Sequence, residues 1–200
     1  MLEAPTSVNR DVRRLLTHLR LPAENVHFLD VRAQGGATQL ECFENVRLCI
    51  LERGGTAAHG WLVWLWPNVL VEAEFHCVWQ SPDGGFEDVT PRPDGDMKVL
   101  FVTDPPRAYA GVSVDNVRIP LRDDKLVRDF IRCFELRFEV LNRGERANQH
   151  GLISVPEAEI QSILELAALA EAMLRQGLRD HSRCICGTGR KYKKCHGRLL

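Results

Sequence analysis

The sequence predicts an α+β fold, in which an antiparallel sheet is followed by helices and by a short cysteine-rich segment. Apolar residues recur at helical spacing near the start of the chain. Short alternating or continuously apolar runs fill the middle, and two long amphipathic stretches come after them. Runs of strands followed by runs of helices are typical of the α+β class.

Length and composition are those of one ordinary domain with an appendage. The chain has 200 residues, of which 44% are hydrophobic and 26% charged. No apolar run reaches the roughly 20 residues that span a bilayer. The opening MLEAPTSVNRDVRR lacks the basic-then-apolar order of a signal peptide. We therefore expect a cytoplasmic protein with no membrane span.

The net charge of −1 hides an asymmetry along the chain. Residues 179–200 contain seven lysines and arginines against the single acid Asp180, a net charge of +6. The remaining residues carry 19 basic and 26 acidic groups, a net charge of −7. A basic segment on an acidic body suggests contact with an anionic partner, although basic residues can also simply keep a small element soluble.

The first half of the chain is predicted to contain two helices and a strand. Residues 7–20 place five apolar side chains on one helical stripe, and residues 26–33 form a short strand. Thr38 and Glu41 have the spacing of a capping box, which predicts a helix with Thr38 as its N-cap. The glycine pair at 54–55 ends it.

The second half is predicted to hold the remaining strands and two longer helices. A turn at residues 81–85 separates two of the strands. Ser154 and Glu157 again have capping spacing, at the start of the second long helix. The strands are predicted at 60–66, 69–80, 86–90, 97–102 and 112–119, and the helices at 123–142 and 154–177. We divide the chain into an α+β body (1–150), a connecting helix (151–178) and the basic segment (179–200).

The basic segment contains a set of metal-ligating side chains with the pattern C-x-C-x8-C-H. Three thiolates and one imidazole suit the tetrahedral coordination of zinc. Gly187 and Gly189 lie between the two pairs and allow the backbone to turn back. So short a segment has little core, so metal binding has to supply its folding free energy. The predicted Zn²⁺ ligands are Cys184, Cys186, Cys195 and His196.

The stretch RCICGTGRKYKKCHG resembles the SEC-C motif over residues 180–198. This motif is the zinc-binding tail of the SecA preprotein translocase ATPase and is appended to many other bacterial proteins. All four ligand positions match the family pattern, while Ile185 replaces a usual proline and Thr188 a usual serine. The resemblance implies a docking role, because the translocase tail meets a chaperone and the ribosome.

Three residues of the body could form a nucleophilic site. Cys42 lies in the first turns of the helix predicted after Thr38, where the helix dipole favours a thiolate. His76 lies on the polar side of its predicted strand, and Asp88 follows on the next strand. If the turn at 81–85 places Gln80 opposite Phe86, His76 and Asp88 become diagonal neighbours on the same side. A turn of even length would separate them.

The order of these three residues resembles that of transglutaminase-like and papain-like cysteine enzymes. The segment EFHCVWQSPDGGFEDVTP (74–91) is similar to the transglutaminase-type hairpin that carries His and Asp. The resemblance implies Cys42 as nucleophile, His76 as general base and acid, and Asp88 as the residue that orients the imidazole. It leaves the oxyanion donors open, with backbone amides near Gly35-Gly36 and the side chain of Gln39 as candidates.

Two functions follow from these patterns and remain open at this point. One is a cysteine hydrolase or acyltransferase that acts on amide bonds of a peptide substrate. Glu72 and Glu74, near the predicted site, would favour substrates that bear amine groups. The other is a non-catalytic binding module whose basic segment, holding the zinc site, docks onto a chaperone, a ribosome or another anionic partner. Direct binding of nucleic acid is a third and weaker interpretation, because no exposed aromatic side chains alternate with the basic ones.

Overall fold

The computed structural model describes residues 2–92, 95, 97–149 and 153–200. Within them the chain divides into two compact units. Leu2–Leu65 and Val71–Ala110 make up one, here called the sheet unit, and Trp66–Leu70 with Gly111–Leu200 make up the other, here called the helical unit. In the part of the chain that is described, no helix is long and apolar enough to cross a membrane.

The sheet unit contains two helices and the main antiparallel strands, as the sequence predicts. The elements are α1 (Arg10–Leu19), β1 (Val26–Asp30), α2 (Cys42–Arg53), β2 (Thr56–Trp66), β3 (Leu70–Gln80), β4 (Phe86–Glu87) and β5 (Lys98–Thr103). The strands are hydrogen-bonded in the order β1-β5-β2-β3-β4.

Strand registers in the sheet are set by apolar side chains that are buried on both faces. Strand β5 lies between β1 and β2, with Leu29 opposite Val99 on one face and Val63 opposite Leu100 on the other, and all four side chains are buried. Almost every residue of β3 is buried, with only Glu74 and Gln80 partly so. The expected polar side of β3 is therefore not a solvent-facing surface, because other elements cover both sides of this central strand.

Helix α2 packs against the apolar side of β3 but begins later than predicted. Its first residue is Cys42 and its N-cap is Glu41, so the prediction of Thr38 as N-cap is wrong. The side chain of Asn45 binds both the N–H and the carbonyl of Thr38, which holds that residue in a turn. Leu40 then has a left-handed backbone with φ 67°, which interrupts any helix running through it.

The helical unit is built from two long helices around one apolar core. It contains β6 (Val117–Pro120), α3 (Lys125–Leu141) and α4 (Glu157–Arg175), so the strand predicted at 112–119 is shorter than expected. Helix α4 has Pro156 as its N-cap, without a side-chain cap, so the predicted cap at Ser154 is wrong. The backbone of Pro156 is extended, with ψ 133°, so the helix begins only after this residue. The apolar core of the helical unit includes Trp66, Leu126, Val127, Phe130, Ile131, Ala170, Met173, Leu174, Cys184 and Tyr192.

The division of the chain into 1–150, 151–178 and 179–200 stays a prediction. Its first boundary falls at residues 150–152, which lie outside the described part. The predicted helices at 123–142 and 154–177 correspond to α3 and α4. The α+β class, with an antiparallel sheet and helices after it, is confirmed.

Candidate functional site

The sheet unit brings the three residues of the predicted nucleophilic site together. Gln80 pairs with Phe86 across the turn at 81–85, which is the register that puts His76 and Asp88 on the same side. His76 Nε2 lies 3.2 Å from Asp88 Oδ1. Both side chains are buried, at 3% and 0% exposure. A hydrogen-bonded imidazole and carboxylate therefore lie inside the protein, next to the first residue of α2.

His76 interacts with the Cys42 side chain as well as with Asp88. Burial by itself would lower the pKa of His76. Interactions with Asp88 and Cys42 outweigh burial and raise the pKa of His76 well above 6.5. Both of these neighbours therefore favour the protonated form of the imidazole.

Asp88 is held by backbone contacts as well as by His76. Its Oδ1 accepts the N–H of Thr90 at 3.0 Å, and the Thr90 hydroxyl in turn accepts from Asn45 at 3.2 Å. Burial would raise the pKa of Asp88, but the charge and hydrogen bond of His76, with the Thr90 N–H, lower it below 3.8. The carboxylate is thus kept ionised where it can orient the imidazole.

The main chain around Asp88 is fixed by residues that follow β1. The Asp88 N–H donates to the Asp30 carbonyl at 3.2 Å, and the Asp88 carbonyl accepts from Arg32 N–H at 2.8 Å. These bonds form a parallel bridge between Asp88 and Val31. Strand β4 itself is only two residues long, so the residues around Val31 help the hairpin to position Asp88.

Cys42 is the first residue of α2 and is 6% exposed. The N-cap Glu41 makes no side-chain cap, so the first amide groups of the helix have no partner from that residue. The same helix end contributes a partial positive charge beside the sulfur. Among the oxyanion donors suggested by the sequence, Gln39 and the pair Gly35-Gly36 are exposed, whereas Cys42 is buried.

A group of aromatic rings beside Cys42 escaped the sequence analysis. Phe43 stacks on Tyr109 with ring centroids 3.6 Å apart and an interplanar angle of 9°. Phe43 also approaches His59 and Phe75, at 6.1 and 5.9 Å. Tyr109 lies in the segment after β5, where the sequence TDPPRAY has no helical or strand periodicity, so no pattern could place its ring over α2.

Glu74 and three further cysteines of the body have surroundings that account for them structurally. Glu74 accepts the indole N–H of Trp64 at 2.7 Å and lies 3.9 Å from Arg92, so its charge is already matched. Burial raises the pKa of the Cys133 thiol to about 11, and it raises the pKa of Cys49 and Cys77 as well. These three buried thiols are held in the un-ionised form at neutral pH.

The second cluster lies in the helical unit and consists of the four predicted metal ligands. One ligand atom from each of Cys184, Cys186, Cys195 and His196 lies within 4.8 Å of the other three. Cys184 Sγ is 3.3 Å from His196 Nδ1, and Cys186 Sγ is 3.5 Å from Cys195 Sγ. The edges of a zinc tetrahedron with sulfur and nitrogen ligands are roughly 3.5–3.8 Å, so the four atoms fit a tetrahedral metal.

Two glycines and a pair of backbone bonds bring the ligands together. Gly187 and Gly189 have φ of 84° and 70°, which are left-handed values that favour glycine. The Cys184 N–H donates to the Arg190 carbonyl at 2.8 Å, which closes the loop between the ligand pairs. The pKa of Cys186 is lowered to about 6 by hydrogen bonds from Thr188, which favours the thiolate that a metal requires.

The metal-ligand segment is packed onto the helices of its own unit. Tyr192, between the ligand pairs, is completely buried, and its hydroxyl donates to Asp129 of α3 at 3.0 Å. Asp124, the N-cap of α3, accepts the Asp180 N–H at 3.3 Å. Cys184 and Cys195 contact the same apolar core as these helices. The segment is therefore an integral part of the helical unit.

Comparison with known families identifies the motif in this segment. Residues 182–198 match the family model of the SEC-C motif, so the predicted motif is confirmed. SEC-C is a zinc-binding motif, and its Cys and His positions here are those that converge in space. Neither the comparison with curated proteins nor that with solved structures gave a match to the chain. The resemblance of the body to transglutaminases thus gains no support from these comparisons.

Proposed function

We propose that the sheet unit is a thiol-dependent acyl hydrolase or acyltransferase that acts on amide bonds. The observation that carries the proposal is a buried imidazole that is hydrogen-bonded to Asp88 and interacts electrostatically with Cys42, the first residue of a helix. Burying three polar groups costs free energy that an apolar core would avoid, and such arrangements concentrate at functional sites. The layout of helix-start cysteine, strand histidine and following acid supports a papain-like or transglutaminase-like arrangement.

The chemistry follows from the positions of the three side chains. The Cys42 sulfur attacks the acyl carbon, its proton having passed to His76, and a carbon–sulfur bond forms. His76 then returns the proton to the leaving amine as the carbon–nitrogen bond breaks, and Asp88 stabilises the imidazolium throughout. Water, or an acceptor amine in a transferase, completes the cycle by giving its proton to His76 and releasing the Cys42 thiol.

The tetrahedral intermediate needs donors for its oxygen. The amide groups at the start of α2 lie beside the sulfur and have no side-chain cap from Glu41. They supply the oxyanion site in place of the exposed Gln39. Since Glu74 is already paired with Trp64 and Arg92, nothing at this position favours amine-bearing substrates.

Alkylation of the native protein with iodoacetamide at pH 7, followed by mapping of the modified cysteines, tests the proposal. Cys42 should react in the folded protein, and His76→Ala should slow that reaction at least roughly a hundredfold, the usual contribution of a general base. The buried Cys49, Cys77 and Cys133 serve as internal controls, because the pKa of each is raised. Equal, slow labelling of all four, unchanged by the substitution, would contradict the proposal.

The SEC-C segment is proposed to hold one Zn²⁺ ion through Cys184, Cys186, Cys195 and His196. Bound zinc would supply a fixed tetrahedral cross-link between the two ligand pairs, because four protein ligands leave no open position for chemistry. The close approach of the four ligand atoms supports this structural role.

A second function, docking of this segment onto an anionic partner, is favoured by its surface charge. All seven lysines and arginines of residues 179–200 are exposed. Within the described part of the chain, none of them forms an ion pair with a carboxylate of the protein. Seven unmatched positive charges on one small element favour an acidic protein surface or a phosphate backbone as partner. Chaperone, ribosome and nucleic acid all satisfy that chemistry.

Salt dependence of binding tests the docking function. Retention of the zinc-loaded chain on a polyanion such as heparin should weaken steeply between 50 and 200 mM salt, on the order of tenfold or more. Lys193→Glu combined with Lys194→Glu should abolish retention. The control is Lys98→Glu, a charge reversal in the sheet unit at a lysine that lies beside Asp30, and it should leave retention nearly unchanged. Retention that does not respond to salt or to the paired substitution would rule this function out.

A further inference from the structure

Asn45 lies on α2, about one helical turn after Cys42, and is buried at 3% exposure. Its Oδ1 accepts the N–H of Thr38 at 3.0 Å. Its Nδ2 donates to the Thr38 carbonyl at 2.7 Å and to the Thr90 hydroxyl at 3.2 Å. Both hydrogens of the amide nitrogen are therefore used, and reversing the amide would bring two donors together at Thr38. The hydrogen bonds thus hold this side chain in one orientation.

Thr90 connects Asn45 to the proposed catalytic acid. Thr90 is buried at 2% exposure, and its own N–H donates to Asp88 Oδ1 at 3.0 Å. The same carboxylate oxygen lies 3.2 Å from His76 Nε2. Since threonine is branched at Cβ and stiff at χ1, a hydroxyl held by Asn45 restrains the backbone whose N–H binds Asp88. A chain of hydrogen bonds therefore runs from α2 through Thr90 and Asp88 to the imidazole.

The apolar contacts of α2 cannot fix its position in the same way. Val46 of α2 and Val89, which precedes Thr90, belong to one buried apolar cluster. Apolar burial is non-directional, so it holds two elements together without fixing how far one slides along the other. The hydrogen bond from Asn45 to Thr90 has a preferred length and direction. It therefore determines where α2 lies along the segment that carries Asp88.

Asn45 also holds the turn that precedes α2. The backbone N–H and carbonyl of Thr38 are both bound by the Asn45 side chain, and the Asn45 N–H donates to the Glu41 carbonyl at 2.9 Å. The helix then begins at Cys42. One side chain thus contacts the turn before the nucleophile and the segment of the acid.

We propose that Asn45 is a positioning residue of this site, which sets the place of the Cys42 sulfur relative to the His76–Asp88 pair by binding Thr38 and Thr90. This inference rests on the proposed function. Asn45 acts through Thr90 and through its own helix, so its effect on the reaction is one of geometry. A displacement of about 1 Å at reacting groups can cost roughly a hundredfold in rate, so a bond that fixes their two elements matters for catalysis.

Two substitutions remove the same hydrogen bond from opposite sides. Asn45→Ala removes the amide, whereas Thr90→Val removes the hydroxyl and keeps the N–H that binds Asp88. Each should slow the alkylation of Cys42 by iodoacetamide at pH 7 roughly tenfold or more, and Thr90→Ser, which keeps the hydroxyl, should not. The double variant should react no more slowly than Asn45→Ala alone, because the two changes remove one shared interaction.

Val46→Ala is the matched control for a merely structural loss. Val46 is 1% exposed and its side chain forms no hydrogen bond, so its truncation leaves a cavity and lowers the urea midpoint. It should leave the Cys42 rate and the NMR titration of the His76 ring nearly unchanged. Thr90→Val should instead move the His76 titration to lower pH, because Asp88 is then less well placed to stabilise the charged ring.

The inference and the proposed function fail in different ways. If Cys42 alkylation depends on His76, but Thr90→Val changes neither its rate nor the His76 titration, the positioning role is wrong and the proposed function survives. The positioning role is also wrong if Val46→Ala has the same two effects as Thr90→Val. Thr90→Val decides the question even if Asn45→Ala does not fold. If His76→Ala leaves the reaction of Cys42 unchanged, the proposed function is wrong and this inference with it.

Discussion

Protonation of His76 is set by two partners that compete with the effect of burial. A lone buried histidine loses its charge, because a low-polarity environment disfavours the ionised ring. Asp88 and Cys42 reverse that preference because each interacts more favourably with the charged imidazole. The three groups therefore act as one charged unit, and a change in any of them should be visible in the titration of the ring.

Asp88→Asn tests this interdependence directly. Removing the carboxylate charge should lower the pKa of His76, because its main counter-charge is lost. The measurement is an NMR titration of the His76 ring in the variant and in the unchanged protein. Glu87→Gln is the matched control, since Glu87 pairs with Arg53 at 3.0 Å and with Arg32 at 3.5 Å. If the pKa of His76 is the same in Asp88→Asn as in the unchanged protein, the three groups do not act as one charged unit.

The same residues make the stability of the sheet unit depend on pH. The pKa of His76 is raised above 6.5 in the folded protein, so its contribution is fully present below pH 6.5 and is lost as pH rises through the folded value. The pKa of Asp88 is lowered below 3.8, so its contribution is lost as pH falls through that folded value. Urea unfolding should therefore show that His76→Gln lowers the free energy of unfolding most between pH 3.8 and 6.5. A loss of unfolding free energy that becomes larger above pH 6.5 would contradict the assignment.

Among the elements, the SEC-C segment depends on close packing around Tyr192. A Cβ atom placed on Gly197 would lie 2.9 Å from Tyr192 Cε1 and 3.0 Å from the Tyr192 carbonyl oxygen. Tyr192 is buried and bonded to Asp129, so its ring has no room to retreat. Glycine is thus required at position 197 by the close approach of Tyr192.

Gly197→Ala should destabilise the helical unit by about 1–3 kcal/mol, the usual cost of overpacking a tight contact. Denaturant unfolding followed by circular dichroism measures it. Gly35→Ala is the control, because a Cβ at Gly35 would meet no atom within 4 Å. Equal stability of the two variants would show that Tyr192 can shift at little cost.

For the whole molecule, the SEC-C segment shares its apolar core with α3 and α4. Cys184 and Tyr192 lie in the same cluster as Phe130 and Met173. Because metal binding fixes the two ligand pairs, its free energy should stabilise the helices that this core joins. Zinc is then expected to influence far more of the chain than the 17 residues that the motif covers.

Cys186→Ser should remove the metal and increase amide hydrogen exchange along α3 and α4. Ile185→Ser is the matched control, since Ile185 lies between two ligands, is 43% exposed and offers no ligand atom. Metal content by mass spectrometry and hydrogen exchange of the native chain report the two effects. Unchanged exchange in the metal-free variant would mean that the helices are stable without the ion.

The sequence alone determined the features that depend on local spacing. The metal ligands lie within 13 residues, and their spacing with two glycines is enough to specify the site. The main helices and strands follow from periodicity, and the five-residue turn at 81–85 made the correct hairpin register one of two choices. The position of Cys42 near a helix start was also readable, although the cap was misplaced because Asn45 and Leu40 act against the local signal.

Only the tertiary structure decided what depends on residues far apart in the chain. The contact of Cys42 with His76 joins a helix to a strand more than thirty residues away, and the main chain of Asp88 is positioned by residues after β1. Tyr109 reaches Phe43 from an irregular loop, and Tyr192 attaches the SEC-C segment to α3. No sequence period encodes such contacts, since they arise when separate elements bury their apolar sides against one another.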